Sequence, residues 1–260
     1  MLDLDGGVMR LRSICHAEAP IPRWVYDRLE EGGDITFAML GLKDGIPAVM
    51  LVAERSVEPY RPESLLLVDV NSWKHGIVWA LIKNGRVASI GRERPDLGRV
   101  ERWHSKVVKL EKLLGRLEKL GLDDNNSQRE AKRTRSKMYR YLRGYSQWLA
   151  NKIVRKALKH KSKVVIDKAL EESWRELLEE GLTKSEAKIH MASVRRFIRI
   201  LETRLRWHGV PYEFKRLPSR VCPDCEIEME ELPGRKMRCP SCGLEEDRDK
   251  IPVLWALKLY

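Results

Sequence analysis

Four cysteines and three aspartates carry most of the chemistry this sequence could perform. Cys222-Pro-Asp-Cys225 and Cys239-Pro-Ser-Cys242 are two Cys-x-x-Cys pairs with thirteen residues between them. Two residues between thiolates let both sulfurs of one turn reach a single ion, and a second such turn completes a tetrahedral site. Four thiolates leave no open position, so the expected ion is structural Zn2+. A redox pair would not explain the duplication, and disulfides do not suit a chain expected in the cytoplasm. Cys15 is left over and reads as a small buried residue.

The aspartates point to a different use. Asp69 ends the apolar run Leu65–Val70, Asp167 ends Lys163–Asp167, and Asp249, in Asp247-Arg248-Asp249, precedes Pro252 and a short final helix. Each alone is an ordinary strand terminator or helix cap. Brought together, three carboxylates could hold two Mg2+ (or Mn2+) ions, which activate a water and stabilise the leaving oxygen of a phosphodiester.

The elements that must position these residues can be read in order. Val8–Ser13 is expected as a strand, Arg23–Glu31 as a short helix, and Thr36–Leu42 and Ala48–Ala53 as strands joined at Asp44-Gly45. Glu58–Glu63, with two prolines, reads as a linker. Leu65–Val70 is a central buried strand, and Gly76–Ile82 and Arg86–Ile90 flank the hairpin signal Asn84-Gly85. A helix follows with Val107, Leu110, Leu113, Leu114, Leu117 and Leu120 at helical spacing, and Asp123–Ser127 breaks it. A second helix carries the stripe Met138, Leu142, Tyr145, Leu149, Ile153. Arg129, Lys132, Arg133, Lys137, Arg140 and Arg143 fall opposite that stripe, within an arc of about 140°. A solvated face is the usual reading of such a run, but only Glu130 balances it, so a phosphate-binding face is expected.

Lys163–Asp167 is the next buried strand. Thr183-Lys-Ser-Glu186 is a capping box, and the helix it starts is expected to run unbroken through Ala187, Met191, Val194, Ile198, Leu201 and Leu205. Val210, Tyr212 and Phe214 alternate as in a half-buried strand. Strands, helices and strands in this order make a layered α/β fold. Tyr141, Trp148, Trp174 and Trp207 ordinarily pack; stacking on bases is their functional alternative.

Charge adds a partner. The net charge is +12. Residues 1–63 hold 7 Lys and Arg against 11 Asp and Glu, while residues 64–260 hold 43 against 27. An excess of +16 on one part of the chain suits a polyanion; a thermophile's charged surface would not by itself require a positive balance. Met1–Arg10 lacks the basic-then-apolar pattern of a signal peptide, and the longest apolar stretches are too short to cross a bilayer. The expectation is a cytoplasmic protein with no membrane partner.

Pro218-Ser-Arg-Val-Cys-Pro-Asp-Cys225, then Cys239-Pro-Ser-Cys-Gly243 and Asp247-Arg-Asp249, resembles the C-terminal signature of the TnpB family of transposon-encoded RNA-guided DNA nucleases, relatives of the type V CRISPR effectors. Leu67-Val-Asp69-Val-Asn71 resembles that family's first RuvC motif, and Val164-Val-Ile-Asp167-Lys-Ala-Leu170 its second. The resemblance covers about residues 60–260. It implies a ribonuclease-H-like (RuvC-type) α/β domain with an inserted four-cysteine zinc ribbon, behind a small N-terminal mixed α/β module. It implies catalytic Asp69, Asp167 and Asp249, zinc ligation by Cys222, Cys225, Cys239 and Cys242, and DNA and guide RNA as partners.

The organisation expected is a module over 1–63, the remnant of a nucleic-acid-binding lobe; a nuclease core with basic helices over 64–217; the ribbon over 218–246; and the last motif with the final helix over 247–260. The chain is shorter than typical members. Asp167 stands where the family has Glu, with Glu171 and Glu172 nearby as substitutes. Ile251 replaces the family's Asn, and no Gly follows Cys225. These departures keep a second reading open, a nucleic-acid-binding relative that does not cut. A remoter third is a zinc-ribbon protein-interaction module. No Gly-rich phosphate loop, His-Glu-x-x-His or Ser nucleophile elbow competes.

Overall fold

The computed structural model describes residues 2–3, 8–11, 17–43, 46–168 and 170–260. The chain divides into two units, Met1–Glu58 and Pro59–Tyr260. In the first, β1 (Leu2–Asp3), β2 (Val8–Leu11) and β3 (Ala17–Pro20) form an antiparallel sheet, and β4 (Asp34–Lys43) pairs with β5 (Ile46–Glu54). Between them lies α1 (Arg23–Glu30), whose buried Val25 packs with Ile21, Leu29, Ile35, Val49 and Leu51. The expected strands and helix are present; β1 and β3 carry too few residues for a periodic signal. Cys15 and the Asp44-Gly45 turn lie outside the described residues.

The second unit is built on β6 (Ser64–Val70), β7 (Ile77–Lys83), β8 (Arg86–Glu93), β9 (Ser162–Lys168) and β10 (Tyr212–Phe214), in the order β10-β9-β6-β7-β8. The first three are antiparallel neighbours, and β9 and β10 run parallel to β6. This is the ribonuclease-H-like arrangement. The Asn84-Gly85 turn has φ of +49° and +68°, the left-handed pair that a two-residue hairpin needs. At Gly91, opposite Trp79, a β-carbon would lie 2.5 Å from the indole, so only glycine lets that ring lie against the strand.

Both faces of the sheet are covered, which explains why β6 and β9 are apolar nearly throughout. Leu66, Val68 and Val70 face α3 (Asn125–Lys159) and α6 (Val194–Trp207) in the main core. Leu65, Leu67 and Val165 face α7 (Ile251–Leu259) and the ribbon in a second core with Leu217, Met237 and Trp255. The preceding helix, α2 (Leu97–Lys119), pairs with α3. Tyr60 packs on the main core and donates its hydroxyl to the Ser162 carbonyl at 2.8 Å. The expected linker is therefore partly docked.

One expectation is corrected. The stretch from Lys184 is two helices, α5 (Lys184–His190) and α6, separated at 191–193. The capping box is present at Thr183 and Glu186. Ser193, however, sits at φ +66°, a conformation costing an L-residue about 1–2 kcal/mol. Trp73 offsets that cost. Fully buried, it donates its indole N–H to the Ala192 carbonyl at 2.6 Å and its backbone N–H to the His190 carbonyl at 2.9 Å. Carbonyls released by the break are thereby satisfied.

Candidate active site

Strand periodicity decides which acids meet. Asp69 follows Leu65 and Leu67 on the same face of β6, and Asp167 follows Val165 on β9. The parallel register sets Asp69 directly beside Asp167. Asp249 lies in the single turn Arg248–Lys250 that leads into α7, the helix covering that face. All three are buried, at 4%, 0% and 3% exposure, although 180 residues of chain separate the first from the last.

Burial pushes the Asp69 carboxyl well above its ordinary range, and the charges of Asp167 and Asp249 push it further; the Asn71 amide, donating at 2.8 Å, and Arg216 oppose this. Asp167 is also raised by burial, against the pull of Arg216 and the Leu217 N–H. Its two oxygens accept from Arg216 Nη1 at 3.0 Å each, and Leu217 N–H donates at 3.0 Å. Arg216 Nη2 binds Glu172. Asp249 Oδ1 accepts from Arg235 Nη2 at 2.8 Å, while Oδ2 has Arg92 Nη2 at 2.7 Å but outside hydrogen-bond geometry, leaving that buried oxygen without a directed donor. Arg235 also reaches Glu176 at 3.4 Å, and Arg248 binds Glu176.

Asp69 and Asp249 line one cavity of about 10 Å3 together with Asn71, Glu172, Glu176, Arg216, Ser219, Arg235 and Arg248. A space of that size takes about one water-sized occupant. Two carboxylates, one with an oxygen that accepts no hydrogen bond, facing such a space are suited to a hard divalent cation. Asp167 does not line it. Glu172 and Glu176, four residues apart on α4 (Leu170–Glu179), do. Glu172 is legible as a substitute near Asp167; Glu176 is not, since an i, i+4 acid on an amphipathic helix reads as surface. Arg216 and Arg235 carry no local signal at all.

The ribbon consists of β11 (Glu230–Leu232), β12 (Lys236–Arg238) and β13 (Glu245–Asp247). Among the described residues, its four cysteines are the one group of three or more metal-ligand side chains close enough to hold an ion, with all sulfurs within 4.8 Å of one another. Each pair closes on the same turn. The N–H of Glu226 donates to the Cys222 carbonyl at 2.9 Å, and that of Gly243 to the Cys239 carbonyl at 3.0 Å, with φ of +59° and +74°. Glu226 thus adopts the conformation that glycine would take for less, and Lys258 holds its carboxylate at 2.6 Å. Backbone N–H groups of Cys242 and Ser241 bring the Cys239 thiol down to about 7, whereas burial raises that of Cys222. The chemistry of four thiols held by local turns fits zinc.

The six expected rail residues, Arg129, Lys132, Arg133, Lys137, Arg140 and Arg143, are all exposed on α3. Glu130 pairs across to Lys106 of α2 at 2.6 Å and also feels the charge of Arg133. None of the six has an ion pair among the described residues; Lys137 lies 5.3 Å from the Trp103 ring.

Residues 195–251 match the family described as Cas12f1-like, TNB domain. That span runs from α6 through the ribbon to the Asp249 turn. Among solved structures, the chain is similar to Cas12f1 in a Cas12f1–sgRNA–target DNA complex, with a TM-score of 0.54 and 13% identity over 90% of this chain and 47% of that one. It also matches the mini-RNA-guided endonuclease CRISPR-Cas phi3, with a TM-score of 0.44 and 9% identity over 84% of this chain and 50% of that one. The chain spans about half the length of either. No curated protein matches it. The chain therefore carries a Cas12f1-like TNB domain on a ribonuclease-H-like fold similar to that of Cas12f1, consistent with the compact, TnpB-like effectors that its motifs resemble.

Proposed function

We propose that this protein is an RNA-guided DNA endonuclease of a transposable element, hydrolysing phosphodiesters by two-metal-ion, RuvC-type chemistry. The observation that carries the reading is that buried Asp69 lies beside Asp167 in the sheet register, shares a small cavity with Asp249, and is raised by the charge of both. Similarity in fold to a protein solved with sgRNA and target DNA supports it. Base pairing with the RNA would supply sequence information, leaving the protein to grip shape and backbone. The basic face of α3 is the proposed grip.

Mg2+ would be held by Asp69 and Asp249, joined by Asp167 when Arg216 is drawn off, and would supply an activated water and a stabilised leaving oxygen. Asn71 orients Asp69 through its 2.8 Å hydrogen bond. Arg216, Arg235 and Arg248 neutralise the acids in the absence of substrate, and a phosphate entering the cleft competes with the carboxylates for these guanidinium groups.

A second reading, a nucleic-acid binder that does not cut, is favoured by one observation: both oxygens of Asp167 are already committed to Arg216 and Leu217. The deciding experiment is cleavage of labelled DNA by protein purified with its co-expressed RNA, with and without Mg2+, beside Asp69→Ala. Mg2+-dependent cleavage that falls by about 1,000-fold or more in the variant, a loss of some 4 kcal/mol in barrier lowering, is expected. Tight, salt-sensitive binding without cleavage would establish the second reading instead.

A further inference from the structure

A groove lies beside the break between α5 and α6. It has a volume of about 740 Å3 and is lined by residues of α3, α4, α5 and the 191–193 turn, including Tyr139, Leu170, Trp174 and Met191. Three cations stand around this apolar floor: Arg175, Lys188 and Arg195. All three are exposed, and none has an ion pair among the described residues. Glu171 is the one acid in the lining. Trp174 is half-buried, and its indole N–H has no hydrogen-bond partner among the described residues.

An aromatic face in an apolar hollow ringed by unneutralised cations is what a nucleotide of single-stranded nucleic acid requires. The base stacks, and the flanking phosphates meet charge. Position narrows the choice of strand. Arg175 also lines a second cleft, of about 360 Å3, shared with Glu172, Glu176, Glu179, Arg216, Arg220 and Arg248. Four of those residues, Glu172, Glu176, Arg216 and Arg248, line the Asp69–Asp249 cavity as well. Arg175 of α4 thus borders both the groove and the cleft, and Glu172 and Glu176 of α4 border both the cleft and the carboxylate cavity.

We propose that this groove is a base-stacking subsite for single-stranded DNA, holding a nucleotide of the strand whose phosphodiester lies at Asp69 and Asp249. Trp174 supplies the stacking face, and Arg175, Lys188 and Arg195 contact the adjoining phosphates. The choice of DNA over RNA rests on the endonuclease reading above; the presence of the subsite does not.

The test is binding of a fluorescein-labelled twelve-nucleotide single-stranded DNA to the full chain in magnesium-free buffer, so that no cleavage enters the readout. Trp174→Ala is expected to weaken binding about 5- to 160-fold, the range for losing one stacked base, while Trp174→Phe stays within about threefold of the parent. Lys188→Ala with Arg195→Ala should flatten the salt dependence by about 0.7 in log–log slope for each phosphate left without its cation. These two positions are exposed, so that arm holds even if Trp174→Ala fails to fold.

Unchanged affinity in a folded Trp174→Ala protein, together with an unchanged salt slope in the double variant, overturns the proposal. A Trp174-dependent loss seen with an RNA of the same sequence and not with DNA overturns the assignment to the DNA strand. The binding readout contains no cleavage and so stands apart from the cleavage test. Failure of cleavage with intact Trp174-dependent binding would therefore sink the endonuclease reading alone.

Discussion

The ribbon and the carboxylate cavity are both clusters of ligand-type side chains, yet they are charged and balanced differently. Backbone N–H groups face the sulfurs of Cys222, Cys239 and Cys242, and among the described residues no Lys or Arg donates a hydrogen bond to any of the four sulfurs. The carboxylates are met by Arg92, Arg216 and Arg235, with Arg248 on the neighbouring Glu176. A thiolate cluster without counter-charge needs its metal to exist as a folded unit. A carboxylate cluster with arginines at hand can stand without one and exchange guanidinium for metal or phosphate. Under the proposed function the ribbon would be a fixed structural element, and the cavity a site whose arginines hold the acids until metal or phosphate enters.

Removing a thiol gives the sharpest contrast and the largest expected effect. Structural zinc supplies roughly 10–16 kcal/mol of folding free energy in small zinc domains, and Cys239→Ser should forfeit much of it locally. Metal analysis is expected to show zinc in the parent and little in the variant, with protease cleavage newly appearing within 218–247. A variant that kept its zinc would make the ribbon as tolerant as the cavity and erase the distinction.

Next in size is Arg216→Met, which leaves Asp167 buried without its guanidinium. Breaking a buried pair typically costs about 3–5 kcal/mol. Arg216 is 41% exposed, so solvent screening places the expectation at the low end, about 3 kcal/mol by urea denaturation. A loss under about 1 kcal/mol would show that the arginines are not what neutralises the acids.

The smallest effect concerns pH. The folded Asp69 carboxyl is raised above its ordinary value by burial and by Asp167 and Asp249. Folding thus favours its protonated form, and the ionised form costs stability. That cost is absent below the unfolded value near 3.8 and grows as pH rises until the folded group has ionised. In metal-free buffer Asp69→Asn should therefore melt above the parent near pH 8, by a few degrees at about 2–4 °C per kcal/mol, with the gap closing toward pH 4. An equal gap at both ends would remove charge from the explanation.

What was legible follows from how far a signal travels along the chain. The two knuckles, the Asn84-Gly85 turn and the Thr183 capping box each lie within a few residues, and each is read from spacing alone. The aspartates were legible jointly, through strand-ending positions and the motifs around them. The helix break was not, because the residue that stabilises it, Trp73, lies 119 positions from Ala192. The same holds for Arg216 on Asp167, 49 positions away, and Arg248 on Glu176, 72 away. Local pattern names the acids; only the tertiary fold names their counter-ions.

The length of α3 carries a final consequence. Its 35 residues make a rod about 52 Å long, but the basic face from Arg129 to Arg143 occupies only about 21 Å of it. A duplex rises about 3.4 Å per base pair, so a backbone laid along that face would be tracked for about six base pairs. That is little more than half a helical turn, after which the strand winds away from a straight rod. On the proposed grip, the footprint of this helix would be one strand over one half-turn, and a longer duplex would find its remaining contacts on other surfaces.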